Sequence, residues 1–233
     1  MIIGLEHWTL ARPEIFLAGA TALLLLYGVL RGEVATAFIS VATSVALLAT
    51  AVLLFTPYRD GTAFANLFIT DRLTTTMKAL VLVGAAISIL MSRDYFEKAR
   101  AWRFEYPLIV ALATLGMMLM ISANDLMTLY VGLELQSLAL YVIAAFQRDS
   151  IRSSEAGVKY FVLGSVASGM LLFGASLIYG FCGGTSFVQI SQALLAGKAG
   201  EIGTVIGLVF VVAGLAFKMS AVPFHMWTPD VYE

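Results

Sequence analysis

Glu134 stands halfway along the apolar run from Asn124 to Phe146, NDLMTLYVGLELQSLALYVIAAF. An uncompensated carboxylate at that depth in a membrane span is costly, so its presence points to ion handling. On a helix it lies about ten residues, roughly 15 Å, from the start, too deep for so short a side chain to reach the interface. Tyr130 and Leu138 are its neighbours one turn away, and Ser137 and Tyr141 share that face, so hydroxyls can build a short polar track beside the carboxylate. The bland alternative is a structural carboxylate hydrogen-bonded across a helix interface.

Lys218 is the second deep charge, in VVAGLAFKMSAVPFHMW. Pro223 has no N–H and crowds the carbonyl of Met219, so the helix is expected to break just after the lysine and to turn freed carbonyls toward the ammonium. Unwound backbone at membrane depth is tolerated where it is buried in protein or lines a wet cavity, the way transporters build ion sites. The competing reading is a lysine that snorkels from a helix end while Pro223 opens a loop. Lys159 follows Glu155 by one helical turn in SSEAGVKYFVLGS, which puts base and acid on one face. Facing the bundle it could relay a proton; facing lipid it would anchor the helix. His225, just past the expected break, titrates near neutral pH and suits a relay, although a lone histidine is more often a packed structural residue. Lys78 is a weaker candidate in the first turns of its span, and Asp71 and Asp125 at span starts read as helix caps.

The elements that must position these groups are membrane spans. Of 233 residues, 60% are hydrophobic and only 12% charged, against about 25% charged in an ordinary soluble domain. Windows long enough to cross the bilayer fall at about 14–31, 34–56, 73–91, 107–122, 124–146, 154–182 and 202–222, followed by the start of an eighth. They are too long and uniformly apolar for barrel strands, so the expected fold is an all-α, polytopic transmembrane bundle forming a single membrane domain over 1–233. Gly157, Gly164, Ser168 and Ala175 mark a small-residue packing face on the sixth span. Ser186 to Leu195 is too short to cross and suits an interfacial amphipathic helix. Cationic residues favour the loops after odd-numbered spans: Arg31; then Arg93, Lys98, Arg100 and Arg103; then Arg148 and Arg152. Arg12, Arg59, Arg72 and Lys198 lie opposite, which puts the N-terminus outside.

The net charge of −1 offers no basic surface for nucleic acid, and the single cysteine, Cys182, excludes an internal disulfide or CxxC site. No GxGxxG, P-loop, HExxH or nucleophile elbow occurs, and two histidines make no metal or haem case. Burial lowers a lysine's proton affinity and raises a carboxylate's, whereas bringing the two together does the reverse, so a movable Glu134/Lys218 pair is a switch. Separating the charges against the membrane potential costs about 2.3 kcal/mol per charge per 100 mV, so a partner must drive it.

The stretch TLGMMLMISANDLMTLYVGLELQSLALYVIAAFQRDSIRSSEAGVKYFVLGSVASGMLLFGASLIYG, followed by FKMSAVPFHMWTPDVYE, closely resembles the N-type antiporter-like subunit family of proton-pumping NADH:quinone oxidoreductase, respiratory complex I. The resemblance covers essentially the whole chain and is strongest from Thr114 onward. ELQSLALYV and SSEAGVKYF look specific to this subunit type; KMSAVPFHMWTPD is shared more widely among antiporter-like relatives. By that resemblance Glu134 matches the essential glutamate of the fifth family helix, Lys159 a channel lysine of the sixth, and Lys218 the central lysine of a discontinuous seventh. His225 matches a motif histidine beyond the break.

The resemblance implies a proton-translocating subunit of an oxidoreductase with no redox centre of its own, and the Ala- and Gly-rich composition favours a bacterial cytoplasmic membrane over the alternative, the mitochondrial inner membrane. NADH, FMN, iron–sulfur clusters and quinone would belong to partner subunits of the membrane-embedded complex. The family's second half is expected to be missing from the chain and to come from a separate polypeptide if the protein is naturally split. Two other readings stay open: a subunit of a cation/proton antiporter or membrane-bound hydrogenase, and a non-transporting assembly module.

Overall fold

A computed structural model describes residues 5–56, 60–99 and 101–232, with side chains from Trp8 onward. Arg59 and Arg100, used above in the orientation argument, lie outside the described residues. The chain forms two packing units. The first comprises residues 1–123 and 131–143, the second residues 124–130 and 144–233.

In the first unit, α1 (Leu5–Leu10) leads into α2 (Arg12–Arg31), where Pro13 occupies the first turn, the position at which a missing N–H costs nothing. A 3₁₀ turn over Gly32–Ala35 joins it to α3 (Thr36–Leu53). Next come a short hairpin, β1 (Gly61–Ala63) and β2 (Phe68–Thr70), then α4 (Arg72–Lys98) and α5 (Glu105–Ile121). Asp71 starts α4 through a reciprocal capping box: its carboxylate accepts from the Thr74 N–H at 2.7 Å, and its own N–H donates to the Thr74 hydroxyl at 2.8 Å. Helices α2, α3, α4 and α5 pack in a ring, each against the next. Leu17, Leu47, Leu82, Ile89 and Met118 fill its interior. The opposite faces are apolar too, as at Leu26, Val29, Phe38 and Leu80, which suits contact with acyl chains.

The hairpin lies in the connection between the spans expected at 34–56 and 73–91, a stretch to which the sequence assigns no element. Its strands pair antiparallel with Thr62 opposite Ile69, around a turn in which Phe64, Ala65 and Asn66 all adopt left-handed backbone. What completes the ladder is remote in sequence: the Ile69 N–H donates to the Ser122 carbonyl at 2.9 Å, and Phe68 bridges Ala123 just after α5. Local sequence periodicity carries no trace of such a partner.

Helix α6 (Leu126–Ala144) contributes its first turn to the second unit and most of its length to the first. The second unit then holds α7 (Ile151–Cys182), the amphipathic α8 (Phe187–Leu195), a 3₁₀ turn at Lys198–Gly200, α9 (Ile202–Lys218) and α10 (Thr228–Tyr232). Gly157, Gly164, Ser168 and Ala175 are all buried, and α7 packs against α9 along much of its length. Among the described residues, four helical runs are long and apolar enough to cross a membrane: Arg12–Leu53, Arg72–Lys98, Leu126–Ala144 and Ile151–Cys182. The apolar helices Glu105–Ile121 and Ile202–Lys218 are shorter, at 17 residues each.

Two glycines set the approach of α5 to α6. A Cβ on Gly132 would come 2.7 Å from the Met120 backbone nitrogen, and one on Gly116 would meet the Gln136 nitrogen at 2.5 Å. Backbone cannot give way as a flexible side chain can, so Gly132→Leu is expected to cost at least the roughly 1–3 kcal/mol typical of overpacking. Thermal stability of the purified protein in detergent checks this; a melting temperature equal to that of the parent chain would contradict the close approach.

Candidate functional site

Glu134 follows Gly132 by two residues on α6, so the close backbone contact with α5 at Gly132 sets the height of this part of the helix. The helix is also anchored at its start, where buried Asp125 accepts from the N–H groups of Met127 at 3.1 Å and Thr128 at 3.0 Å. Glu134 is half-buried; Ser137 and Tyr141 on its face are buried, whereas Leu138 is turned outward. The carboxylate therefore shares its inward side with two hydroxyls, while the apolar neighbour takes the outer side.

The break after α9 falls at Lys218, the last helical residue, but its geometry differs from the expected one. Ser220 adopts left-handed backbone at φ 56°; its N–H donates to Phe217 O at 3.0 Å, and the Ala221 N–H reaches back to Ala216 O at 2.8 Å. This is the double bond pattern that ends a helix at a left-handed residue, a place glycine usually fills. The carbonyls expected to be free are taken up: Leu215 O accepts from Met219 N–H, Ala216 O from Ala221, and Phe217 O from Ser220 and from the Trp227 indole at 3.2 Å. Lys218 is half-buried at the carboxyl end of the helix, where the macrodipole favours a cation.

Trp227 holds the segment after the break. Buried to 3% exposure, it stacks on Tyr160 of α7 at 4.4 Å between ring centroids and lies over Phe217 of α9 at 5.7 Å. Beside it Lys159 bridges Glu155 at 2.8 Å and Asp230 at 2.9 Å, so the lysine ties α7 to α10. All three side chains are well exposed within this chain, where solvated pairs add little stability. His225 is exposed, with its carbonyl accepting from the Thr228 N–H. The second unit thus brings Lys159, Trp227 and the Lys218 turn into one connected patch.

The charge pair that sequence reasoning did not find lies in the first unit. Glu14 and Lys78 meet at 2.6 Å with side-chain exposures of 5% and 2%, and the Lys78 ammonium also rests 4.6 Å from the centre of the Phe68 ring. Lys78 reads in the sequence as a weaker candidate in the first turns of its span, and Glu14 does not stand out there at all. The available signal was topological: α2 and α4 are odd-numbered spans that enter from one side, so charges in their first turns can face each other across the ring. Among the described residues no cluster of three or more His, Cys, Asp or Glu could hold a metal ion.

Two outcomes follow from these geometries. Ser220→Gly removes the Cβ from a left-handed position and is expected to raise stability by up to about 1 kcal/mol, read as a higher melting temperature. Lys78→Ala leaves Glu14 buried without its counter-ion and is expected to cost about 3–5 kcal/mol, whereas Glu14→Gln with Lys78→Met should cost much less. A thermodynamic cycle of the single and double variants measures the difference; additive losses would contradict a coupled buried pair.

The similarities to known proteins agree with these features. A family model described as NADH:quinone oxidoreductase/Mrp antiporter, TM, matches residues 123–233. NADH-quinone oxidoreductase subunit N of Methylobacterium nodulans is 53% identical over 228 residues, covering 96% of this chain and 46% of that protein. The subunit of the same name from Paramagnetospirillum magneticum is 55% identical over 226 residues, covering 95% and 46%. The chain thus spans about half the length of the curated relatives it matches. Among solved structures, a chain of respiratory complex I from Thermus thermophilus superposes with a TM-score of 0.77 at 30% identity, over 94% of this chain and 47% of that one. A chain of the Mrp complex from Dietzia sp. shares the fold, with a TM-score of 0.69 at 23% identity, over 96% and 43%. A helical membrane chain whose α9 ends at Lys218 is thus similar, along nearly its full length, to about half of the antiporter-like membrane subunits named NADH-quinone oxidoreductase subunit N.

Proposed function

We propose that the chain acts in the membrane arm of a respiratory NADH:quinone oxidoreductase as a proton-translocating subunit, using Glu134 and Lys218 as proton-bearing groups and Lys159 as a relay, with a subsidiary part for His225. The observation that carries this reading is the ending of α9 at Lys218, a titratable ammonium at an interrupted helix in a chain similar to subunit N over nearly its whole length. Half-buried Glu134, with buried Ser137 and Tyr141 beside it, supplies the acidic counterpart in the other packing unit. The chain offers side chains that hold and pass protons. NADH, FMN, iron–sulfur clusters and quinone are assigned to partner subunits, so the chain contributes to the enzyme as a translocase component. Its place is the bacterial cytoplasmic membrane, among other membrane-arm subunits, with the N-terminus on the outer side.

A second reading, a subunit of a cation/proton antiporter, is favoured by the fold shared with the Mrp complex chain. Co-purification separates the two, since the first requires redox subunits to travel with this chain. Glu134→Gln and Lys218→Ala are each expected to abolish most proton transport coupled to NADH oxidation while the complex assembles normally. Transport at the parental rate in both variants would reject a pumping role and favour an assembly module.

A further inference from the structure

The Glu14–Lys78 pair takes no part in the proposed pathway, yet its surroundings differ from those of a sealed structural ion pair. A cavity of about 240 Å³ adjoins it, lined by Thr9, Arg12, Leu53, Leu54, Thr70 and Lys78 among others. Liquid water occupies about 30 Å³ per molecule, so several molecules fit. Both Glu14 carboxylate oxygens and the buried hydroxyls of Thr70 and Thr75 make no hydrogen bond among the described residues, although Lys78 lies at ion-pair distance from Glu14. Buried polar atoms in that state are ordinarily met by water. Exposed Arg12 stands at the rim.

Toward the other side lies an apolar layer: Leu17, one turn after Glu14, and Leu82, one turn after Lys78, are both fully buried and pack with Leu47 and Ile89, before the buried hydroxyls of Thr21, Thr43 and Ser44 further along the same helices. Helix α3 offers Leu53 and Leu54, α1 offers Thr9 and Leu10, and the hairpin offers Thr70 and the Phe68 ring. On α5 the titratable Glu105 and Tyr106 lie at the end away from the hairpin. Among the described residues, Glu14, Lys78 and Arg12 are the charged groups of the pair and the cavity lining.

We propose that Glu14, Lys78 and the adjoining cavity form a hydrated proton-exchange site open to one face of the membrane only. A hydronium ion in the cavity gives its proton to Glu14, leaving water and a neutral carboxyl beside the Lys78 ammonium; the reverse step returns the proton to water. Because the apolar layer blocks passage onward, the site binds protons in equilibrium with one compartment and does not conduct them across. An anionic lipid headgroup fits less well, since the carboxylate would repel it from the ammonium it needs. The inference is independent of the roles given to Glu134 and Lys218.

The test uses the chain in its native membrane assembly, with Cys182→Ser and Thr70→Cys as a near-isosteric reporter pointing at the cavity. A membrane-impermeant cationic methanethiosulfonate reagent is expected to modify the new thiol at least about tenfold faster from one vesicle orientation than from the other, since only a hydrated thiol can ionise and react. Infrared difference spectra between about pH 9 and about pH 4, chosen to bracket carboxyl titration, should show a carboxyl band that is lost in Glu14→Gln. If that variant assembles poorly, the Glu14→Gln, Lys78→Met double variant preserves the shape and removes both charges, and should lose the same band. No modification from either side, equal modification from both sides, or an unchanged carboxyl band would overturn the proposal.

Discussion

The constraint on which this structure turns is the cost of an ionised group in hydrocarbon. Every charge below the headgroups must meet an opposite charge, a dipole, a hydroxyl or water, because the apolar medium supplies nothing. Different parts of the chain meet that demand by different means. Glu14 and Lys78 neutralise each other at 2.6 Å across a four-helix ring. Lys218 ends its helix at the negative pole of the macrodipole, and Glu134 shares its face with buried Ser137 and Tyr141. The same demand applies to the backbone: the carbonyls exposed by the end of α9 are satisfied at once by a left-handed turn at Ser220 and by the Trp227 indole.

That last arrangement links structure to mechanism. A proline-induced gap with loose carbonyls would offer a cation site in the backbone itself. A capped helix end offers none at residues 215 to 217, and leaves the Lys218 ammonium to side chains and water. The rigid part of the turn is held by Trp227 between Tyr160 and Phe217, and in the role proposed above a driving partner acts on the side chains around Lys218, not on this backbone. Lys159, tied to Asp230, sits on the same structural patch, so movement of the segment after the break would alter its partners.

Much of this was legible in the sequence because hydrocarbon makes charges conspicuous. Glu134 and Lys218 stand out from apolar runs, the Glu155–Lys159 spacing anticipated a real ion pair, and Asp71 and Asp125 do cap their helices. What escaped depends on contacts between distant segments. Lys78 looked peripheral because its partner, Glu14, lies on another helix far away in sequence, and neither position is unusual alone. The hairpin over 61–70 needed the end of α5 to complete its ladder. Pro223 signalled the break correctly, yet the turn is made at Ser220, a residue type that seldom takes left-handed backbone and so gave no warning.

Central to the account is that Lys218 must release its proton, not merely carry charge. Substituting Lys218→Arg separates the two functions, because a guanidinium keeps the positive charge but stays protonated under any working condition. Measured in the assembled complex as protons moved per NADH oxidised, the arginine variant should transport as poorly as a neutral Lys218→Met variant. Transport retained by arginine and lost with methionine would show that charge alone suffices, and would contradict proton exchange at this position.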